Sequence, residues 1–396
     1  MKKKLLFVIP SLDAGGGEKS LVNLLNTIDF DRYEVDLLAF QPKGLFLTSI
    51  PEQVHILTIK GNYNTFTNGL PAASLAFLKA GRLDLIFHRV VYSIKNKFIS
   101  SKGYAEQSSW TNLQKAIPQQ EKRYDVAIGF LEKSSNYYVV DKVHATQKIG
   151  WIHTNYSNSG MKSTFDVPYF SALDCIVAVS QECQADLKVN FPYLSAKFKI
   201  IHNIVSANLI RNLAEKNPDT ELDWTKFTII TVARLSYEKG CDMAVEACKI
   251  VVEKGLNVQW LLIGDGSERK NLEEQVAYNG LQNHFVFLGL QANPYPYIKK
   301  ASLYVQPSRY EGKSIAIDEA KILRKPIVIT DFDTAKDQIT HLKNGIISSM
   351  NPKSLADEIF KLHQNTAIQN NLIVNLSREQ IDSEAEIEKL YALIHE

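Results

Sequence analysis

The amino-acid sequence predicts an α/β protein of two domains, each a parallel β-sheet with helices on its faces. Three observations lead there. The chain has 396 residues, 45% of them apolar and 22% charged, an ordinary globular balance over a length that suits about two domains. Short apolar, β-rich runs are separated by stretches of helical periodicity, the pattern of strand–helix–strand units. The second half then repeats the plan of the first.

In the first half, an apolar strand at Leu5–Ile9 runs into a glycine-rich turn and a helix from about Glu18 to Ile28. Further strands are expected at Val35–Phe40, Val54–Ile59, Val126–Phe130, Lys148–Ile152 and Cys175–Val179. In the second half, strands are expected at Phe227–Val232, Gln259–Ile263, Phe285–Leu288, Leu303–Gln306 and Ile327–Thr330. Helical patterns between them cover Gly240–Glu253, Glu268–Tyr278, Pro294–Lys300, Ser314–Leu323 and Pro352–Gln364, and Leu372–Ile394 is helical at the end. The polar segment Asn208–Asp223, which contains Pro218, reads as the linker or its continuation, since domain boundaries favour polar, Pro-containing segments. The expected divisions are residues 1–205, 206–375 and a helical tail at 376–396.

Charge and cysteine content narrow the classes of function. A formal charge of +2, from 45 basic and 43 acidic residues, gives no reason to expect a nucleic-acid partner. No apolar run approaches the roughly 18 residues of a membrane span. The basic start with Leu5–Ile9 is too short for a signal peptide and leads into Pro10 and Asp13, so a buried first strand fits better. Cys175, Cys183, Cys241 and Cys248 form no CxxC pair, so neither zinc nor a disulfide framework is expected, and the chain reads as cytoplasmic. One region departs from the pattern. Residues 76–102 carry Lys79, Arg82, Arg89, Lys95, Lys97 and Lys102 among apolar residues, against Asp84 alone. A basic amphipathic stretch is a membrane-surface signature, and contact with a membrane or acceptor stands beside the reading of a solvated helix packed on the sheet.

Three motifs follow strands at the ends where open α/β sheets bind ligands. Gly15-Gly16-Gly17-Glu18 opens the first helix; its backbone N–H groups suit an anion, and a tight turn favours glycine equally. The spacing is not that of a dinucleotide fingerprint, which weakens a nicotinamide-oxidoreductase reading. Arg234 and Lys239, in ARLSYEKG after Phe227–Val232, pair a planar fork with a point charge, a combination suited to a diphosphate. In PSRYEGKSIAIDEA, Glu311 precedes a helix and Glu319 lies about one and a half turns inside it. At 1.5 Å per residue the two stand on the order of 10 Å apart along the chain path, too far for the carboxylate pair of a retaining hydrolase and suited to gripping an extended ligand. Asp318 between them reads as an exposed helix charge.

With the GDGSERKNLE turn at Gly264–Glu273, these motifs occur in one order, each after an apolar strand. The chain resembles the retaining glycosyltransferases of GT-B fold known as family 4, over both halves and most strongly towards the C-terminus. The resemblance implies two Rossmann-like domains facing a central cleft, the first binding acceptor and the second a nucleotide-sugar, with the tail returning to the first. It implies that Gly16 and Gly17 offer amides to the diphosphate or acceptor and that Arg234 and Lys239 neutralise the leaving group. Glu319 would accept from the ribose hydroxyls, and Glu311 would hold the donor sugar beside the N–H groups of Gly312, Lys313 and Ser314. Backbone near Leu290 would meet the base, and His153, in WIHTNYS, would lie near the sugar. The donor is expected to be UDP-linked, with no divalent metal required, and the acceptor a glycan or lipid-linked glycan. On this reading the enzyme is cytoplasmic or peripheral on the inner face of the plasma membrane.

The sequence departs from that family in places. Lys313 stands where a hydrophobic residue is usual, either selecting an anionic sugar or using only its backbone. Asp331–Ala335 replaces a glycine-bearing loop, and the HNIV stretch at His202–Val205 lacks a common proline, with His202 expected to be structural. Asp29-Phe30-Asp31 and Asp331-Phe332-Asp333 have the spacing of metal-dependent transferases, although turn residues explain both. The other readings are a non-catalytic scaffold or chaperone of the same fold and a UDP-sugar 2-epimerase.

Overall fold

The computed structural model describes residues 2–395 except 14, 219, 312, 380 and 382. The chain divides into two compact units, residues 1–204 with 383–396 and residues 205–382.

The first unit holds seven strands: β1 Lys3–Ile9, β2 Tyr33–Ala39, β3 His55–Thr58, β4 Tyr124–Phe130, β5 Ala145–Ile152, β6 Cys175–Ala178 and β7 Phe198–Ile200. They form one sheet of order β3-β2-β1-β4-β5-β6-β7, and the pairs are parallel. Successive residues of a strand face opposite sides. Leu5, Phe7 and Ile9 therefore enter one core cluster and Leu6 and Val8 the other. Both faces are covered, which explains why these strands read as continuous apolar runs. The helix Glu386–His395 covers the Leu5 side, packing Ile387, Leu390, Tyr391 and Ile394 into it. Tyr391 stacks on Tyr33 at 5.0 Å, and its hydroxyl accepts from the Asp29 N–H at 2.8 Å.

The second unit holds β8 Phe227–Val232, β9 Val258–Ile263, β10 Phe285–Gly289, β11 Leu303–Gln306, β12 Ile327–Thr330 and β13 Ile346–Ser348. Its sheet, β10-β9-β8-β11-β12-β13, is also parallel. Ile229, Trp260 and Leu262 pack on one face and Ile230, Leu261 and Ile263 on the other.

In both sheets the strand order reverses in the middle, between β1 and β4 and between β8 and β11. Crossovers there leave in opposite directions, so the carboxyl ends of those strand pairs form a crevice. The polar segment at Asn208–Asp223 departs from the sequence expectation. It begins inside a helix, Ala207–Ala214, whose Ile210 and Ala214 are buried. Ser206 caps it through the Leu209 N–H at 3.1 Å. Its apolar stripe is only two turns long, which the surrounding polar residues masked. Likewise Leu372–Ile394 is two helices, Thr366–Arg378 and Glu386–His395.

Candidate functional site

In the second unit, the motif loops leave the two strands at the reversal point, ARLSYEKG after β8 and PSRYEG after β11. Gly240 makes their approach feasible. It sits at φ +61°, and a β-carbon there would lie 2.0 Å from the Pro307 carbonyl oxygen. The adjoining turn is equally tight: a β-carbon on Gly264 would lie 1.9 Å from the Ala233 oxygen, and one on Gly266 2.3 Å from the Leu235 oxygen. Backbone bonds tie the loops together, from Arg309 N–H to Glu238 O at 2.8 Å and from Leu235 N–H to Asp265 O at 3.0 Å.

On this frame Glu311 is buried and accepts three hydrogen bonds. Lys239 Nζ donates at 2.7 Å, Ser308 Oγ at 2.8 Å and Gln306 Nε2 at 3.1 Å. Glu319 is fully buried in the helix Ile315–Ile322, and the Tyr295 hydroxyl donates to it at 2.9 Å. Burial and the Glu319 charge hold the Tyr295 hydroxyl well above its ordinary pKa. Arg234 is exposed on the β8 loop, and Leu290 is exposed just beyond β10. Cations on the loop after β8 and carboxylates on the loop and helix after β11 thus flank the reversal point, with Lys239 and Glu311 in direct contact.

The helix that follows is anchored by Gln338. Its Oε1 accepts from the Ser314 N–H and its Nε2 donates to the Ser314 carbonyl, both at 2.8 Å. That corrects the expectation for Ser314, whose N–H is committed inside the protein. Asp318 is also corrected. It is buried, accepts from Gln338 Nε2 at 3.2 Å, and lies 3.6 Å from Lys313 Nζ. Lys313 is itself exposed; Gly312 lies outside the described residues. Arg309, unassigned in the sequence motif, grips Asp242 with both terminal nitrogens at 2.7 and 2.6 Å and stacks 4.2 Å over Tyr237. A guanidinium two residues before Glu311 and a carboxylate two residues after Gly240 carried the signal, which only the fold brings together.

In the first unit, Gly16 and Gly17 begin the helix Gly16–Leu25 after β1. A β-carbon on Gly17 would strike the Leu131 side chain at 2.5 Å, whereas Gly16 faces open space. Only the far end of a flexible side chain crowds Gly17 and nothing crowds Gly16, so packing demands neither glycine. The loop after β4, Leu131–Lys133, has positive φ at Leu131 and Lys133, rare for residues with side chains and costly unless the surroundings enforce it. Between them the largely buried Glu132 accepts from the His153 N–H, from the Thr154 N–H at 2.8 Å and from the Thr154 hydroxyl at 3.2 Å. The His153 ring lies 4.8 Å from Phe130 and 6.5 Å from Trp151, and burial lowers its pKa to about 4, so the imidazole is neutral near pH 7. Glu132 and its strained loop had no sequence signal beyond their place at the end of β4.

The four cysteines are buried thiols. Asp29 accepts the Asp31 N–H at 3.0 Å, a turn role. His202 N–H donates to Glu386 at 2.8 Å, within the packing of the returning helix.

Residues 214–379 match the family described as glycosyl transferases group 1. A 2-deoxystreptamine N-acetyl-D-glucosaminyltransferase of Niallia circulans is 30% identical over 161 residues, covering 40% of this chain and 41% of that protein. The chain thus spans about two-fifths of the length of the curated relatives it matches. Two solved structures cover all of both chains: Anabaena Alr3699/HepE in complex with UDP, with TM-score 0.62 and 18% identity, and a mutant of S. aureus TarM with Fondaparinux, alpha-GlcNAc-glycerol and UDP, with TM-score 0.66 and 15% identity. The fold is that of GT-B glycosyltransferases.

Proposed function

We propose that the chain is a retaining glycosyltransferase of family 4. It moves a sugar from a UDP-linked donor to a cell-surface glycan or lipid-linked glycan, working in the cytoplasm at the inner face of the membrane. The observation that carries this reading is the buried Glu311 held by Lys239 at the strand-order reversal, with Arg234 beside it in sequence and Glu319 on the following helix.

As the diphosphate leaves, negative charge builds on it, and cations already in place stabilise that charge. Lys239 and exposed Arg234 supply them, so this reading calls for no divalent metal. Glu311 and Glu319, acceptor-only groups when ionised, bind hydroxyls: the donor sugar's at Glu311 and the ribose's at Glu319. Their separation along the chain fits two ends of one nucleotide-sugar rather than one reacting bond. The base lies by Leu290. The acceptor attacks from the face the diphosphate leaves, with a departing phosphate oxygen taking its proton. In the first unit, Gly16, Gly17 and the neutral His153 are that unit's own candidate contacts for donor or acceptor. HepE and TarM, both crystallised with UDP, support the choice of base.

The test is thermal stabilisation by UDP, GDP, ADP and NAD, on wild type and on Glu319→Ala. Ligand at 100 times its Kd adds about 2.7 kcal/mol of stability. A shift with UDP that Glu319→Ala abolishes supports the donor class; a shift with NAD instead overturns the reading.

A further inference from the structure

The helix Leu83–Phe98 is amphipathic in an unusual sense, with a large apolar stripe on its outer side. Leu83, Phe87, Val90, Ile94 and Phe98 are 65%, 65%, 37%, 50% and 73% exposed. Their spacing of 4, 3, 4 and 4 residues places all five within about 80° of one another on a helix of 100° per residue. The opposite side is already used: Leu85 and Arg89 are buried, and Ile86 and Tyr92 pack on the core. The preceding helix, Leu70–Lys79, adds exposed Leu75 and Leu78. Among the described residues, seven of seventeen exposed large apolar side chains fall between Leu75 and Phe98. Scattered apolar residues are ordinary, whereas a contiguous patch marks a contact surface.

The charges around the stripe identify the occupant. Of the six cations at 76–102, two are turned inward. Arg89 donates to the Asn68 carbonyl at 2.8 Å, and Lys95 to Ser108 O, Thr111 Oγ1 and Asn112 Oδ1 at 2.6–3.0 Å. Arg82 is paired with Asp84, the segment's sole acidic residue. Lys79, Lys97 and Lys102 remain exposed, and Lys97 lies 5.6 Å over the Phe98 ring. An apolar stripe edged by cations, its one carboxylate already matched, complements a surface that is apolar within and anionic at its rim. We propose that this face docks on an anionic lipid bilayer, with the five apolar side chains of Leu83–Phe98 entering the acyl boundary and Lys79, Lys97 and Lys102 meeting the headgroups. The inference specifies the membrane contact of the proposed function, but binding itself requires no donor or acceptor.

Co-sedimentation tests it, comparing equimolar phosphatidylcholine–phosphatidylglycerol vesicles with phosphatidylcholine alone. The full chain binds the mixed vesicles and loses binding as salt rises. Phe87→Ser with Ile94→Ser abolishes binding, and each of Lys79→Gln and Lys97→Gln lowers the partition coefficient about five-fold. Val189→Ser, at an exposed apolar residue elsewhere in the unit, leaves it unchanged. Wild type that ignores anionic vesicles, or binding indifferent to the Phe87/Ile94 pair, overturns the proposal. So does a wild-type dimer that this pair converts to monomer in sedimentation equilibrium, since the stripe would then cover a second copy. The UDP melting shift is measured on every variant; its loss in wild type counts against the donor reading and leaves the vesicle result standing.

Discussion

Lys239 Nζ stands 2.7 Å from Glu311 Oε2, and the pair is largely enclosed, with 25% and 7% of the two side chains exposed. The cation of one motif loop and the carboxylate of the other are thus one structural unit, in addition to the binding roles proposed for them. Gln306 and Ser308 complete the carboxylate's hydrogen bonds, so losing the lysine leaves the charge held but uncompensated.

The two roles separate by mutation. Removing one partner of a buried ion pair costs on the order of 3–5 kcal/mol, so Lys239→Ala should melt markedly earlier. Lys239→Ala combined with Glu311→Gln removes the stranded charge and should recover much of that loss. Activity should not recover with it. Each single variant and the double should lower kcat/KM by roughly 10²–10³-fold, the scale for one preorganised charge contact. Melting scans beside initial rates decide it; a double variant that regained activity with stability would confine the pair to a structural role.

Arg309 and Asp242 hold the same loops at their outer edge, through two bonds of 2.7 and 2.6 Å. A fork of this kind depends on planarity as well as charge. Arg309→Lys keeps the charge and loses the second bond and the stack on Tyr237. Hydrogen bonds to charged groups contribute about 1.5–3 kcal/mol, and this one should be expressed as weaker UDP binding, about 10-fold in Kd. Isothermal titration measures it. Affinity equal to wild type would mean that the loops keep their shape without the fork.

Gly240 and Gly255 share a left-handed backbone, at φ +61° and +85°, but only Gly240 faces a backbone atom. Alanine at Gly255 meets nothing within 4 Å and costs only the left-handed penalty, about 1–2 kcal/mol. Alanine at Gly240 adds a collision with Pro307, where overpacking contributes a further ~1–3 kcal/mol, and it separates the two motif loops. Urea unfolding should show Gly240→Ala as the less stable variant, with UDP stabilisation lost in that variant alone. Equal stability and binding in the two would refute the steric account.

Much of this was legible in the sequence because it depends on local pattern. The buried strands are near-continuous apolar runs, and the glycines and charges that follow them lie at strand ends by necessity. All the described strands except the three-residue edge strands β7 and β13, and the placement of Arg234, Lys239, Glu311 and Glu319 in the chain, followed from that. Missed features arise from distance along the chain. Arg309 meets Asp242 across 67 residues, Gln338 reaches Ser314 across 24, and Glu132 reaches His153 across 21; no periodicity encodes such pairs. Asp318 looked exposed because a charge on a short helix usually is, and Gln338 changes that. In the stretch 76–102 the excess of cations was visible, but only the packing distinguished Arg89 and Lys95, turned inward, from Lys79 and Lys97.

His153 gives the pH prediction. Burial lowers its pKa from the ordinary 6.5 to about 4, against a smaller opposing pull from Glu132. Unfolded, the imidazole binds a proton near pH 6.5; folded, it resists protonation until about pH 4. Between those values the unfolded state holds more protons, so stability rises with pH across this window. The contribution is complete above about pH 6.5, declines as the solution is acidified, and is exhausted below about pH 4. Over that span it amounts to roughly 2–4 kcal/mol, taking about 1.4 kcal/mol for each unit. His153→Gln removes the titration, so its urea midpoint should fall less steeply than wild type between pH 6.5 and 4, while carboxylates dominate both profiles below that. Transfer activity of the wild type should hold from pH 8 down towards 5 without a histidine inflection near 6.5, since the imidazole stays neutral throughout. Parallel stability profiles for the two proteins, or an activity inflection at 6.5 that His153→Gln abolishes, would show that His153 is solvated and titrates as an ordinary histidine.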